Sequence, residues 1–128
     1  PLTICAMETA EIRVTHEIPT PRLFKQIRGS SHGVHVGDEI WFLCHVVNYE
    51  ARRHYYHIFV VIHAETYELI NYSQLFTFER EMVEYSLGFA YQKKDDQFLI
   101  GYSTNDNTTK YLLIGKDIID EMMVSHSL

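Results

Sequence analysis

The sequence predicts an all-β domain of antiparallel sheets that closes with a short helix. Three observations predict it. Runs rich in β-branched and aromatic residues recur along the 128 residues, with nine Tyr and seven Phe, the residue types that fit a pleated, half-buried surface. Clusters of Gly, Asp, Asn and Pro separate these runs at the spacing of turns. The order of runs and turns also recurs after roughly 55 residues, a little longer than common blade periods.

Leu2–Ala6 and Glu11–His16 read as a hairpin-like pair, with Ile12 and Val14 alternating against Glu11, Arg13 and Thr15. Pro19 and Pro21 remove backbone donors and predict a loop running through Arg28-Gly29-Ser30-Ser31. Gly33–Val36 follows as a short strand and Gly37-Asp38 as a turn. Ile40–Val47 is a mostly apolar strand, buried on both faces. Asn48–Arg53 is a polar loop, Tyr55–His63 a strand, Ala64–Thr66 a turn, and Glu68–Phe78 the last strand of this set. Tyr85–Tyr91, Gln97–Ser103 and Lys110–Ile114 are the next strands, joined by a turn at Lys93–Asp96 and a loop at Asn105–Thr108. Asp117 then caps a short helix whose apolar face is Ile118, Ile119, Met122 and Met123.

The repeat can be stated residue by residue. Ser31-His32-Gly33-Val34 lines up with Ser86-Leu87-Gly88-Phe89, and Gly37–His45 with Asp95–Ser103. Each unit is strand, turn, strand, polar loop, strand, outer strand, the plan of a four-stranded propeller blade. The partition is therefore a single β domain or domain fragment, residues 1–128: opening strands and Pro-containing loop at 1–28, blades at 29–80 and 84–115, and a helix at 116–126. The two blades are expected to be the C-terminal part of a larger propeller, and the start at Pro1 without an initiator Met agrees with a piece cut from something longer. A plain β-sandwich with an accidental repeat is the competing architecture.

Composition narrows the function classes. The net charge is −6, and the one dense basic spot is Arg52-Arg53-His54, which argues against nucleic acid. No apolar run approaches the ~20 residues that span a bilayer as a helix. Cys5 and Cys44 sit far apart in apolar runs and read as two buried thiols, which suits a reducing, cytoplasmic compartment. His32 and His35, like His54 and His57, stand three apart, on opposite faces of a strand, so no metal and no cofactor are expected.

In a propeller, ligands meet the start of the first strands and the loops joining second and third strands. That rule nominates Arg28, Ser30, Ser31, His45, Asn48, Glu50, Arg52 and Arg53 in the first unit. In the second it nominates Glu84, Tyr85, Ser86, Ser103, Asn105, Asp106 and Lys110. Gly29-Ser30-Ser31-His32-Gly33-Val34 followed by Trp41–Val47 resembles a blade of glycoside hydrolase family 130, and Tyr85–Gly88 with Gly101–Asp106 resembles its final blade. The closing Ile114-Gly115-Lys116-Asp117-Ile118-Ile119 is similar to that family's last strand and helix. The resemblance implies a five-bladed propeller acting on mannosides as phosphorylase or hydrolase, without a metal in the bond-breaking step.

By that resemblance His45 corresponds to a phosphate-contacting histidine and Asp106 to a late acidic residue at the site rim. Cys44-His45-Val46 stands where the family has Tyr-His-Gly, and the family's general-acid aspartate comes from earlier blades that this chain does not contain. The expected ligand set is His45, Asp106, Arg28, Ser31, Asn48, Arg53, Asn105 and Tyr85, the ligand a glycan or sugar phosphate, and catalysis stays unassigned. The alternative is a non-catalytic β module that self-associates or packs on the remainder of a larger chain.

Overall fold

The computed structural model describes residues 2–48, 54–80, 84–105 and 108–124, with the backbone alone at Asn48 and His54. In chain order the elements are β1 (Leu2–Glu8), β2 (Glu11–Ile18), a 3-10 helix (Arg22–Gln26), β3 (Ile27–Ser30), β4 (Val34–Val36), β5 (Glu39–Asn48) and β6 (His54–His63). They continue with β7 (Leu69–Ser73), β8 (Glu84–Gln92), β9 (Gln97–Thr104), β10 (Thr108–Gly115), α1 (Lys116–Glu121) and β11 (Met123–Val124). Every strand pairing is antiparallel, so the all-β prediction holds.

Three sheets result. β1 and β2 form a hairpin whose two turn residues, Thr9 and Ala10, both take positive φ (45° and 72°). A six-stranded sheet runs β11-β7-β6-β5-β3, with β4 pairing to β5 on the same edge as β3. A three-stranded sheet runs β10-β9-β8. The β4–β5 turn is tight because Gly37 supplies φ +62° without a Cβ penalty.

β5 and β6 are buried on both faces, as their near-continuous apolar runs predict. From one face Trp41, Leu43, Phe59 and Val61 pack with Phe89, Phe98 and Ile100 of the three-stranded sheet and with Ile119 of α1. From the other, Cys44, Val46, Ile58, Val60 and Ile62 meet Leu2, Leu23, Phe24 and Ile27. The six-stranded sheet is thus the middle layer, and β8 lies across β4, β5 and β6 where the two larger sheets approach.

Several expectations are corrected. The segment after Pro21 is not one loop: Arg22–Gln26 wind into a 3-10 helix and Ile27–Ser30 pair with β5. The second unit has three strands in its sheet, because α1 carries the chain away and β11 pairs with β7 of the first unit. α1 starts at Lys116 behind an extended Gly115, without a side-chain cap; Ile119 is buried, Ile118 is exposed, and Met123 belongs to a strand. Cys5 is exposed, since no described residue covers the outer row of the hairpin, whereas Cys44 is buried.

The repeat survives with a one-residue change of register. In the first unit Ser31 donates its backbone N–H to Leu43 (2.8 Å), and Val34 pairs with Trp41. In the second Ser86 pairs with Tyr102 and Phe89 with Ile100. Trp41 therefore corresponds to Ile100 and not to Leu99. A slip of one residue moves a side chain to the other face of a sheet, which is why Trp41 and Ile100 both reach the shared core while Leu99 does not. Each first strand breaks register at the matched place, after Ser31 and after Ser86.

Candidate functional site

The two register breaks meet at one recess. It has a volume of about 270 Å³ and is lined by Ser30, Ser31, His32, His45, Ser86, Leu87 and Gly88. A bulge bends a strand and re-aims its side chains. Here the breaks in both first strands turn serines and glycine backbone toward a common space between the sheets. Ser31 is fixed on both sides: its Oγ donates to the His32 carbonyl (2.9 Å) and accepts the Leu43 N–H (3.0 Å).

His45 lies opposite Gly29 in the ladder, and its ring rests over that glycine. A Cβ at Gly29 would come within 2.5 Å of His45 Cε1, so only glycine lets the imidazole take this place. Partial burial pushes the His45 pKa below the ordinary histidine value, which favours a neutral ring that can both donate and accept. Beside it Tyr55 stands 6.2 Å away between ring centroids, and Tyr85 meets Tyr55 edge to face at 5.8 Å. Tyr55 is buried, so these rings support His45 from outside the recess lining.

Behind His45, on the same face, is its cross-strand partner His57. This imidazole is fully buried, 4.4 Å from Phe78 and 5.6 Å from Phe76 between centroids. Its Nε2 lies 3.4 Å from Glu84 Oε1, and neither ring nitrogen makes a hydrogen bond among the described residues. Burial lowers the His57 pKa to about 4, against the attraction of Glu84. The Glu84 carboxylate, also fully buried, accepts the backbone N–H of Phe78 (2.7 Å) and of Glu79 (2.7 Å). It thereby clamps the connection from β7 to β8.

The expected site residues divide. Ser31 and His45 line the recess, joined by Ser30 and Ser86; Tyr85 is not among the lining residues and meets Tyr55, the neighbour of His45. Arg28 is exposed and donates to the carbonyls of Lys25 (2.8 Å) and Ile27 (3.3 Å), so it steadies its own turn. Asn105 follows β9 with φ +51° and is not among the lining residues. Lys110 pairs with Glu79 (2.8 Å), which also accepts from Tyr102 (2.7 Å). Glu50, Arg52, Arg53 and Asp106 lie outside the described residues, as does the side chain of Asn48.

Two residues of consequence escaped sequence reasoning, His57 and Tyr55. The signal that finds them is the hairpin register: pairing Asn48 with His54 sets His45 against His57 and Val47 against Tyr55. Among the described residues no cluster of three or more His, Cys, Asp or Glu could hold a metal ion, and no helix is long and apolar enough to cross a membrane. The class defined by fold and site is an all-β protein of stacked antiparallel sheets with a small polar recess between them. No family model, no curated protein and no solved structure matches the chain.

Proposed function

We propose that the chain is a carbohydrate-active segment of a β-propeller, its two stacked sheets acting as blades, and that the recess binds a glycan or sugar phosphate. The observation that carries this reading is the convergence of matched register breaks, from both units, on one polar recess beside His45. Serine hydroxyls and a neutral imidazole complement sugar hydroxyls and phosphate oxygens. At about 270 Å³ the recess falls below the range of drug-sized pockets, which favours one sugar ring or one phosphate over a long oligosaccharide.

Cleavage of a glycosidic bond by phosphate or water is the reaction that the family resemblance suggests for a complete parent protein. Such chemistry needs an acid against the leaving oxygen. Glu84 does not fit that role, because its two oxygens hold backbone N–H groups away from the recess. The reading for this chain is recognition. Calorimetric titration with monosaccharides, sugar 1-phosphates and inorganic phosphate tests it, comparing the native chain with His45→Ala. Binding that weakens at least tenfold in the variant supports it; a folded native chain that binds none of these ligands at millimolar concentration ends it.

A further inference from the structure

Six of the eight large hydrophobic side chains exposed among the described residues fall into two groups. Met7, Ile12 and Val14 (71, 69 and 54% exposed) belong to the β1–β2 hairpin. Ile12 pairs with Met7, and Val14 with Cys5, so they form one apolar row on one face. Leu87, Tyr111 and Leu113 (58, 73 and 55% exposed) lie on the three-stranded sheet; Tyr111 and Leu113 alternate with Leu112 and Ile114, which face the core. Isolated exposed apolar residues are ordinary, but two concentrated groups on sheet faces call for a covering layer.

Two contacts hold the base of the hairpin. Leu2 packs into the outer cluster of the six-stranded sheet, and His16 meets Tyr67 edge to face at 5.0 Å. Among the described residues β1 and β2 pair only with each other, and a lone two-stranded hairpin is marginal in water. The apolar row of this hairpin cannot reach the exposed face of its own three-stranded sheet. Leu2 anchors it to the cluster of Cys44, Val46, Ile58, Val60 and Ile62, on the far side of the middle layer from the shared core.

We propose that the hairpin is an exchange arm, whose Met7, Ile12 and Val14 row lies on the Leu87, Tyr111 and Leu113 face of a second copy of this chain. Size selects a reciprocal pair over a single contact. At ~3.3 Å per residue and ~4.8 Å between strands, a hairpin with strands of about eight residues covers about 250 Å² on each partner, or about 500 Å² per contact. One such contact is of crystal-packing size, whereas two, related by a two-fold axis, reach the roughly 1,000 Å² that a specific interface needs. The proposal can be tested apart from sugar binding, because the hairpin row, Tyr111 and Leu113 lie outside the recess and Leu87 alone borders it.

Sedimentation equilibrium of the native chain from 1 to about 200 µM should show a concentration-dependent dimer. Ile12→Lys and Leu113→Glu should each raise the dissociation constant at least tenfold, with far-UV circular dichroism unchanged, because both positions are solvent-exposed in the single chain. A short bis-maleimide should join Cys5 of one molecule to the thiol of Leu113→Cys in another, giving a covalent dimer whose mass is twice that of the chain. A monomer throughout the range overturns the proposal. So does a dimer indifferent to both substitutions, or a cross-link formed only within single chains.

Discussion

Replacing His57 by leucine should flatten the pH dependence of folding stability between pH 6.5 and 4. The native imidazole is buried and titrates near 4, against 6.5 for an ordinary histidine. The unfolded chain therefore takes up this proton first as the pH falls. Stability that is fully present above pH 6.5 is lost progressively down to about pH 4, below which both states are protonated and the loss stops. A separation of about 2.5 units at 1.36 kcal/mol per unit gives a loss of about 3 kcal/mol, and full burial leaves little solvent screening to reduce it. The leucine variant lacks the proton site, and it removes two buried nitrogens that make no hydrogen bond among the described residues; at pH 7 its stability should lie within about 1 kcal/mol of the native protein. Urea unfolding followed by the fluorescence of Trp41, which is 2% exposed, reads both proteins from pH 7.5 to 4.5. Titrations common to the two cancel in the difference, which should move by 2 to 3 kcal/mol, about, in favour of the variant at acid pH. Parallel curves would refute the assignment of a buried neutral imidazole at this position.

Glu84→Ala removes the acceptor of the Phe78 and Glu79 N–H groups and should cost roughly 2–4 kcal/mol, seen as a lower thermal midpoint. Gly29→Ala sets a methyl 2.5 Å from His45 Cε1; displacement of the ring should weaken ligand binding more than it lowers the melting temperature, with calorimetry and thermal unfolding run side by side. Of the two thiols, Cys44 is buried with its pKa pushed up to about 12, and Cys5 is exposed. In dilute native protein at pH 8 one equivalent of a maleimide should react, and two in urea.

The strands were legible because their signal is local. Alternation in β2, continuous apolar runs in β5 and β6, and the Gly37 turn each follow from side-chain period and backbone sterics. What stayed hidden depends on distant partners. β3 carries Arg28, Gly29 and Ser30, a turn-like composition, and becomes a strand only because β5 offers it a ladder. Met123 and Val124 read as the end of a helix, yet the free edge of β7 captures them. The repeat was legible as a pattern and misplaced by one residue, since the four-residue turn at 93–96 and the two-residue turn at Gly37-Asp38 hide the true spacing. Within the site, His45 and Ser31 were recognisable from their place in the units. His57 was not, because only the β5–β6 register sets it against His45.

Recess and buried pair follow from one economy of packing. A first strand that stayed regular past Ser31 would send the apolar face of Val34 out of the core. The register break restores Val34 opposite Trp41, and the same holds for Phe89 opposite Ile100. Of the residues at these breaks, His32 and Leu87 border the recess, while Gly33 lies against Ile40 and Phe42 on the other face of the sheet. Keeping that space open demands that the sheets be held apart at this end without an apolar filler. Glu84 does so: it ties the β7–β8 connection through two backbone hydrogen bonds and sets its carboxylate against His57. The polar pair is costly to bury, and its position directly behind His45 gives that cost a purpose, because an aliphatic pair there would let the sheets close onto the recess. A doubly apolar variant, His57→Leu with Glu84→Met, is accordingly expected to retain its fold and lose the ligand, a result that thermal unfolding and calorimetry on the same sample would separate from simple destabilisation.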